Sequence, residues 1–207
     1  MKPRSLIIML CLVAVVATTH LQALEFRLLS WDGDIRGLRY GSGQKAVDVV
    51  AMEGALSPKY TYNRTGPLVL FREVQQEDRT VRVPVATLSP PEGVTRAILL
   101  LTATDAAGTA YTARWINDSP EVRREQTITY ENLSSHPVAI RLGKDELYIA
   151  PGAATTRSTN PDVFRLALKV AAQTQKGWEL VIRWSQPVRP RLRTLVILRD
   201  GRESPYG

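Results

Sequence analysis

Two stretches, Phe164-Arg165-Leu166-Ala167-Leu168-Lys169-Val170 and Trp178-Glu179-Leu180-Val181-Ile182-Arg183-Trp184, decide how this chain folds. Large apolar side chains recur at every second residue, the period of a β-strand rather than of a helix. Working outward, the same period returns at Val47, Val49 and Ala51, at Val81, Val83 and Val85, and at Val138, Ile140 and Leu142. Nowhere does a long stretch repeat apolar residues at three-and-four spacing. Strands of this kind bury one face and wet the other, as antiparallel sheets do. Ala97–Ala103 is almost wholly apolar instead, so it reads as an inner strand covered on both faces. Turn signals separate the runs, among them Asp32-Gly33, Gly66-Pro67, Pro90-Pro91-Glu92-Gly93, Pro151-Gly152, Asn160-Pro161 and Asp200-Gly201. About thirteen short strands at this spacing predict an all-β protein of sandwich or barrel type.

An ordered series of similarities divides the chain in two. Tyr40 precedes Val47-Asp48-Val49 as Tyr130 precedes Val138-Ala139-Ile140. Ser57-Pro58 matches Ala150-Pro151, Gly66-Pro67 matches Asn160-Pro161, and Ser89-Pro90-Pro91 matches Ser185-Gln186-Pro187. Leu68–Phe71 then corresponds to Phe164–Leu168, and Val94–Leu100 to Leu192–Leu198. Insertions in loops make such offsets drift slowly in a duplicated sequence. The reading is two tandem small antiparallel β-sandwich units, residues 24–118 and 119–207, linked near Asn117-Asp118-Ser119-Pro120. It places Val47 and Val49 where Val138 and Ile140 lie. Each core is small, so docking of the units helps stability.

Residues 1–23 read as a signal peptide: Lys2 and Arg4 precede an apolar run from Leu6 to Ala17. Cleavage after Ala17 fits the small-residue rule, and cleavage after Ala23 fits the start of the first strand at Leu24. The run is shorter than the roughly 20 residues a membrane-spanning helix needs. Once the leader is removed, no transmembrane span is expected, and the address is periplasmic or secreted. Cys11, the only cysteine, lies inside the apolar run behind Leu10, which does not suit lipidation. The mature chain thus has no thiol and no disulfide, despite an export route that permits one.

The chain carries 27 Lys+Arg and 20 Asp+Glu. Losing Lys2 and Arg4 with the leader takes its formal charge from +7 to +5. Such a balance suits acidic partners, and it equally suits solubility. Catalytic apparatus is missing. His136, in the turn Ser134-Ser135-His136-Pro137, is the only histidine beyond the leader. Without Cys it makes neither a thiol–imidazole pair nor a common zinc site. No Gly-x-Ser-x-Gly elbow, phosphate loop or dinucleotide fingerprint occurs. Asp32-Gly33-Asp34 lacks the further oxygen ligands of a calcium loop and reads as a hairpin turn. Glu77-Asp78 and Asp145-Glu146 fall in predicted loops. The expectation is a protein that is not an enzyme, with no cofactor and no metal site. Only a carboxylate pair brought together from distant positions would make it a hydrolase.

Two sets of residues are candidates for binding. Trp31, Tyr60 and Tyr62 are aromatics near loops, as a sugar platform needs. Arg189, Arg191, Arg193 and Arg199 crowd the C-terminus, and guanidinium groups pair well with carboxylate or phosphate. Nucleic acid is not expected, because an exported protein rarely meets it. In size, charge and two-unit β organisation the chain resembles uncharacterised exported bacterial envelope proteins with tandem immunoglobulin-like sandwiches. It is similar in the same respects to the periplasmic pilus-assembly chaperones, whose signature segments it does not contain. The resemblance is architectural, covers the mature chain and transfers no functional residue. It implies a non-catalytic envelope protein that binds or structures a protein partner. The alternative is a binding module for anionic glycan or lipid head groups.

Overall fold

The computed structural model of the chain describes residues 23–41, 45–63, 66–105, 107–142, 145–159, 165–187 and 193–200. The expected leader, apart from Ala23, lies outside them. No helix among the described residues is long and apolar enough to cross a membrane. The first half holds β1 (Leu24–Ser30), β2 (Ile35–Tyr40), β3 (Val47–Ala51), β4 (Tyr60–Tyr62), β5 (Leu68–Gln76), β6 (Arg79–Leu88), β7 (Arg96–Ala103) and β8 (Tyr111–Asn117). The second holds β9 (Thr127–Asn132), β10 (Val138–Leu142), β11 (Asp145–Ile149), β12 (Ala154–Ser158), β13 (Arg165–Thr174), β14 (Gly177–Pro187) and β15 (Arg193–Leu198). The protein is all-β, as the alternation predicts.

Among the described residues four sheets form, in the orders β4-β1-β7-β8, β3-β2-β5-β6, β12-β9-β15 and β11-β10-β13-β14. Strand for strand, the first seven strands of the first half and the seven of the second pair alike. β1 runs parallel to β7 and antiparallel to β4; β9 runs parallel to β15 and antiparallel to β12. The ladders agree in register. The Trp31 N–H donates to the Leu101 carbonyl at 3.0 Å, and the Leu133 N–H donates to the Leu198 carbonyl at 2.6 Å. β8 has no counterpart among the described residues.

The strand order corrects part of the sequence alignment. Val47 and Val49 lie on the edge strand β3, whose counterpart is β11, whereas Val138 and Ile140 lie on the inner strand β10. Tyr40 on β2 and Tyr130 on β9 are displaced by one strand in the same way. Ser57-Pro58 and Ala150-Pro151 fall in equivalent loops, but Val94–Leu100 is matched to Leu192–Leu198 one residue out of register, since Leu101 is the counterpart of Leu198. Asn160-Pro161, Phe164 and Leu192 lie outside the described residues. Other local expectations change too. Asp32-Gly33-Asp34 joins β1 to β2, which belong to different sheets, so it is an arch and not a hairpin. Asp145 and Glu146 open β11, where Glu146 pairs with Arg141 across to β10. Glu77-Asp78 is the two-residue turn between β5 and β6; Glu77 takes φ 52°, as such hairpin turns require.

Each half sets an apolar core between its two sheets, in a sandwich-like arrangement. In the first, Phe26 and Leu28 of β1, Leu38 of β2, Leu68 and Leu70 of β5 and Leu99 and Leu101 of β7 are buried together. Ile128 and Tyr130 of β9, Val138 and Ile140 of β10, and Leu168 and Val170 of β13 form the second core. A third cluster joins the halves. Ile98 and Leu100 on the other face of β7, with Ile116 of β8, meet Leu29, Trp31, Leu133, Leu195 and Ile197. Ala97–Ala103 is therefore covered on both faces, as its apolar run predicts. By the β1–β7 and β9–β15 registers, Ile98 corresponds to Leu195, Leu100 to Ile197, and Trp31 to Leu133. Equivalent surfaces thus face each other, as in a two-fold interface.

The connection between the halves is held by polar contacts. The Ser119 hydroxyl accepts the N–H groups of Thr95 and Arg96, each at 3.3 Å. Buried Arg123 donates to Asp118 at 2.6 Å, and Asp118 also meets Arg96 at 3.4 Å. Leaving water lowers the affinity of the Arg123 guanidinium for its proton, and Asp118 works the other way. Arginine keeps its charge under such conditions, so the pair remains ionic.

Candidate functional site

The predicted aromatic residues do not assemble as one surface, and of the predicted arginines Arg193 and Arg199 are described. Tyr60 and Tyr62 of β4 pack against the first core. The Tyr60 ring lies 5.7 Å from Phe26, and the Tyr62 ring 6.4 Å from Tyr40. Their hydroxyls are engaged: Tyr60 accepts the Val50 N–H at 3.2 Å, and Tyr62 donates to the carbonyls of Gly66 and Pro67. Trp31 sits apart, in the cluster between the halves. The structure therefore does not bring these three aromatics onto one platform.

Arg199 is drawn into the same junction. Its guanidinium lies 4.9 Å over the Trp31 ring and 3.6 Å from the Asp32 carboxylate. Asp32 in turn accepts the Ala103 N–H at 2.9 Å. Parity explains the placement: Arg199 shares a side with Leu195 and Ile197, which pack into the junction. Arg193 opens β15 and is exposed. Arg189 and Arg191 lie outside the described residues. A cleft of about 480 Å³ beside this point is lined by Trp31, Thr102, Thr112, Arg114, Leu133 and Arg199, among others. Its two guanidinium groups are already engaged, since Arg114 donates to the Gly152 carbonyl at 2.7 Å and approaches Glu131 at 3.7 Å. Glu131 is buried, and loss of water raises its carboxyl pKa above the usual range against the pull of Arg114 and Arg123. His136 is exposed in its turn, and its carbonyl accepts from Asn132 and Ser134, each at 2.9 Å. Among the described residues, no group of three or more His, Cys, Asp or Glu is placed to hold a metal ion.

The surface that sequence reasoning missed is on β14. This strand is eleven residues long and stands at the edge of its sheet. Its alternation predicts Trp178, Leu180, Ile182 and Trp184 on one buried face. A β-bulge at Val181 breaks that parity. Leu180 pairs with Ala171, so it and Trp178 face outward; Ile182 pairs with Val170 and Trp184 with Leu168, so these two face the core side. Neither set is covered. Trp178, Leu180, Val181, Ile182 and Trp184 are exposed by 39–54%.

On the outer face, Trp178 meets Tyr148 of β11 edge-to-face at 5.9 Å. The small side chains of Ala139 and Ala171 lie between them and leave a shallow apolar trough of about 240 Å³. Lys169 and the Arg141–Glu146 pair also line it. A long, apolar, unpaired strand edge is a template for another strand, and proteins usually blunt one with proline or inward charge. β14 holds Glu179 and Arg183 but leaves five large apolar groups in water. No family model matches the chain, and no curated protein matches it.

Proposed function

We propose that this is a non-catalytic, exported cell-envelope protein that binds a protein partner. One observation carries the reading, the exposed apolar edge strand β14. An apolar surface of this kind, rimmed by Arg141, Lys169 and Arg183, suits a protein interface better than a sugar or a phosphate. The leader-like residues 1–23 support export to the periplasm or the medium, and the start of β1 at Leu24 suits cleavage after Ala23. Repetition of strand order and register supports two tandem immunoglobulin-like sandwich units, 24–118 and 119–207, made by duplication.

The mature chain has no cysteine, so Leu180→Cys provides a single crosslinking point. In the native cells, this variant should give one discrete adduct with an envelope protein. Adding Trp178→Glu should abolish it. Absence of any adduct from every exposed position on β14 would overturn the reading. Salt-sensitive retention on a polyanion, lost in Arg193→Glu and kept in Trp178→Glu, would point instead to an anionic glycan or lipid head group.

A further inference from the structure

Resting on that protein-binding reading, we propose that the second half accepts an eighth strand from another protein, beside β15. The first half shows what fits. There β8 pairs antiparallel with β7, from Ala97↔Asn117 to Ala103↔Tyr111. Its side chains Tyr111, Ala113 and Trp115 close the core, and the Trp115 indole donates to the Ser89 carbonyl at the end of β6. The equivalent place beside β15 holds no strand among the described residues.

The uncovered side chains sit where this comparison requires. β6 and β14 carry their bulges at equivalent points, Val85 and Val181. Beneath β8, Val85 and Ala86 are 6% and 8% exposed. Their counterparts Val181 and Ile182 are 54% and 40% exposed. Leu88 is partly buried against the first core, while its counterpart Trp184 stands in water.

The backbone of β15 is oriented to pair on that side. The Leu198 carbonyl bonds toward β9, so alternation turns the peptide groups of Arg193, Leu195 and Ile197 away from β9. Ile98 and Leu100, which correspond to Leu195 and Ile197, pair with Ile116 and Arg114 of β8.

Charge selects the occupant. Arg193 opens β15 and is exposed, and its counterpart Arg96 meets Asp118, directly after β8, at 3.4 Å, so a strand beside β15 is matched by an acid at its C-terminal end. Arg165, Lys169 and Arg183 lie on the outer face of β13 and β14 and do not enter this place. Residues 201–207 (Gly-Arg-Glu-Ser-Pro-Tyr-Gly) have no aliphatic side chain to offer. The occupant is an extended segment of about seven residues from a different protein, apolar at alternate positions and followed by Asp or Glu.

The test pans a displayed library of random twelve-residue peptides on the full chain, purified after export. Selected peptides should alternate apolar residues and carry an acid at the C-terminal end of that run. On binding they should protect the Leu195 and Ile197 amides from hydrogen exchange. Ile182→Asp and Trp184→Asp, at exposed positions, should each leave the melting temperature nearly unchanged and weaken binding at least tenfold. Peptides that ignore both variants, or no selected peptide at all, would overturn the proposal. Protection that appears with protein concentration alone would assign the place to a second copy and also overturn it. Protection in the free chain that is lost when residues 201–207 are removed would do the same. A Leu180→Cys adduct without a β15-protecting peptide leaves the parent reading standing while this proposal falls.

Discussion

β6 and β14 hold the same place in the two halves, at the sheet edge after a long hairpin, and they end in opposite surroundings. β6 has β8 opposite its bulge, and the apolar residues there are buried. β14 faces a sheet of three strands among the described residues, and its equivalent residues are exposed. The pairing rules of the two halves agree, so the difference comes from one strand. Burial of an edge strand in this fold depends on the opposing sheet being as wide as its own.

The strongest way to break the comparison is to weaken β8. Trp115 stands edge-to-face against Phe26 at 5.8 Å and caps the first core. Trp115→Ala should cost roughly 3 kcal/mol, the low end of the range for losing a packed tryptophan, since Trp115 is partly buried. Trp184→Ala, on the edge strand that no eighth strand covers among the described residues, should change stability by less than about 0.5 kcal/mol, as exposed substitutions do. Denaturant unfolding of the two variants measures both. Equal losses would mean that the second half is covered after all.

The junction gives the next effect. Leu100 is buried where equivalent faces of the halves meet. Leu100→Ala should cost roughly 2–3 kcal/mol. It should also split a single melting transition into two, because each half keeps a core of its own. Calorimetry reads the number of transitions directly.

Much of this was legible in the sequence. The period of two marks the strands, and the unbroken apolar run of β7 marks a strand buried on both faces, one in a core and one in the junction. The slip of Val47 onto Val138 has a physical cause: alternation identifies strands without saying which neighbour each one pairs with. The bulges at Val85 and Val181 are hidden for a similar reason. One extra residue changes no residue type, yet it turns Ile182 and Trp184 to the face opposite Leu180. For Arg199, parity placed the side chain with Leu195 and Ile197. Its partners Trp31 and Asp32 come from the other end of the chain, and only the fold brings them there.

Arg199→Ala tests that junction more gently. It removes a cation stacked on an indole and an ion pair that is mostly screened from water, together worth about 1–2 kcal/mol. The loss should appear as a lower denaturant midpoint and as greater exposure of Trp31 to a fluorescence quencher. A solvent-facing Arg199 would change neither.

The smallest effect, and the one that best separates the halves, is the pH response of Glu131. Its counterpart on β1 is Leu29, which packs into the junction as an apolar residue should. Glu131 is buried beside Arg114 and Arg123, and burial raises its carboxyl pKa above the ordinary 4.5 despite both cations. The folded state therefore holds the proton more tightly than the unfolded state does. The sign follows from linkage. The contribution of this group to stability is fully present below the unfolded value and is lost as pH rises through the folded one. From about pH 4 toward neutrality, stability should decline by the share that Glu131 carries. Glu131→Gln keeps the shape and removes the titration, so its stability should vary less over that range, by an amount smaller than the cost of Arg199→Ala. Denaturant midpoints measured across the range for both chains give the comparison. Leu29→Gln would leave the pH dependence unaltered, since it adds no titrating group. Identical pH profiles for the parent chain and Glu131→Gln would show that the two cations cancel the burial completely.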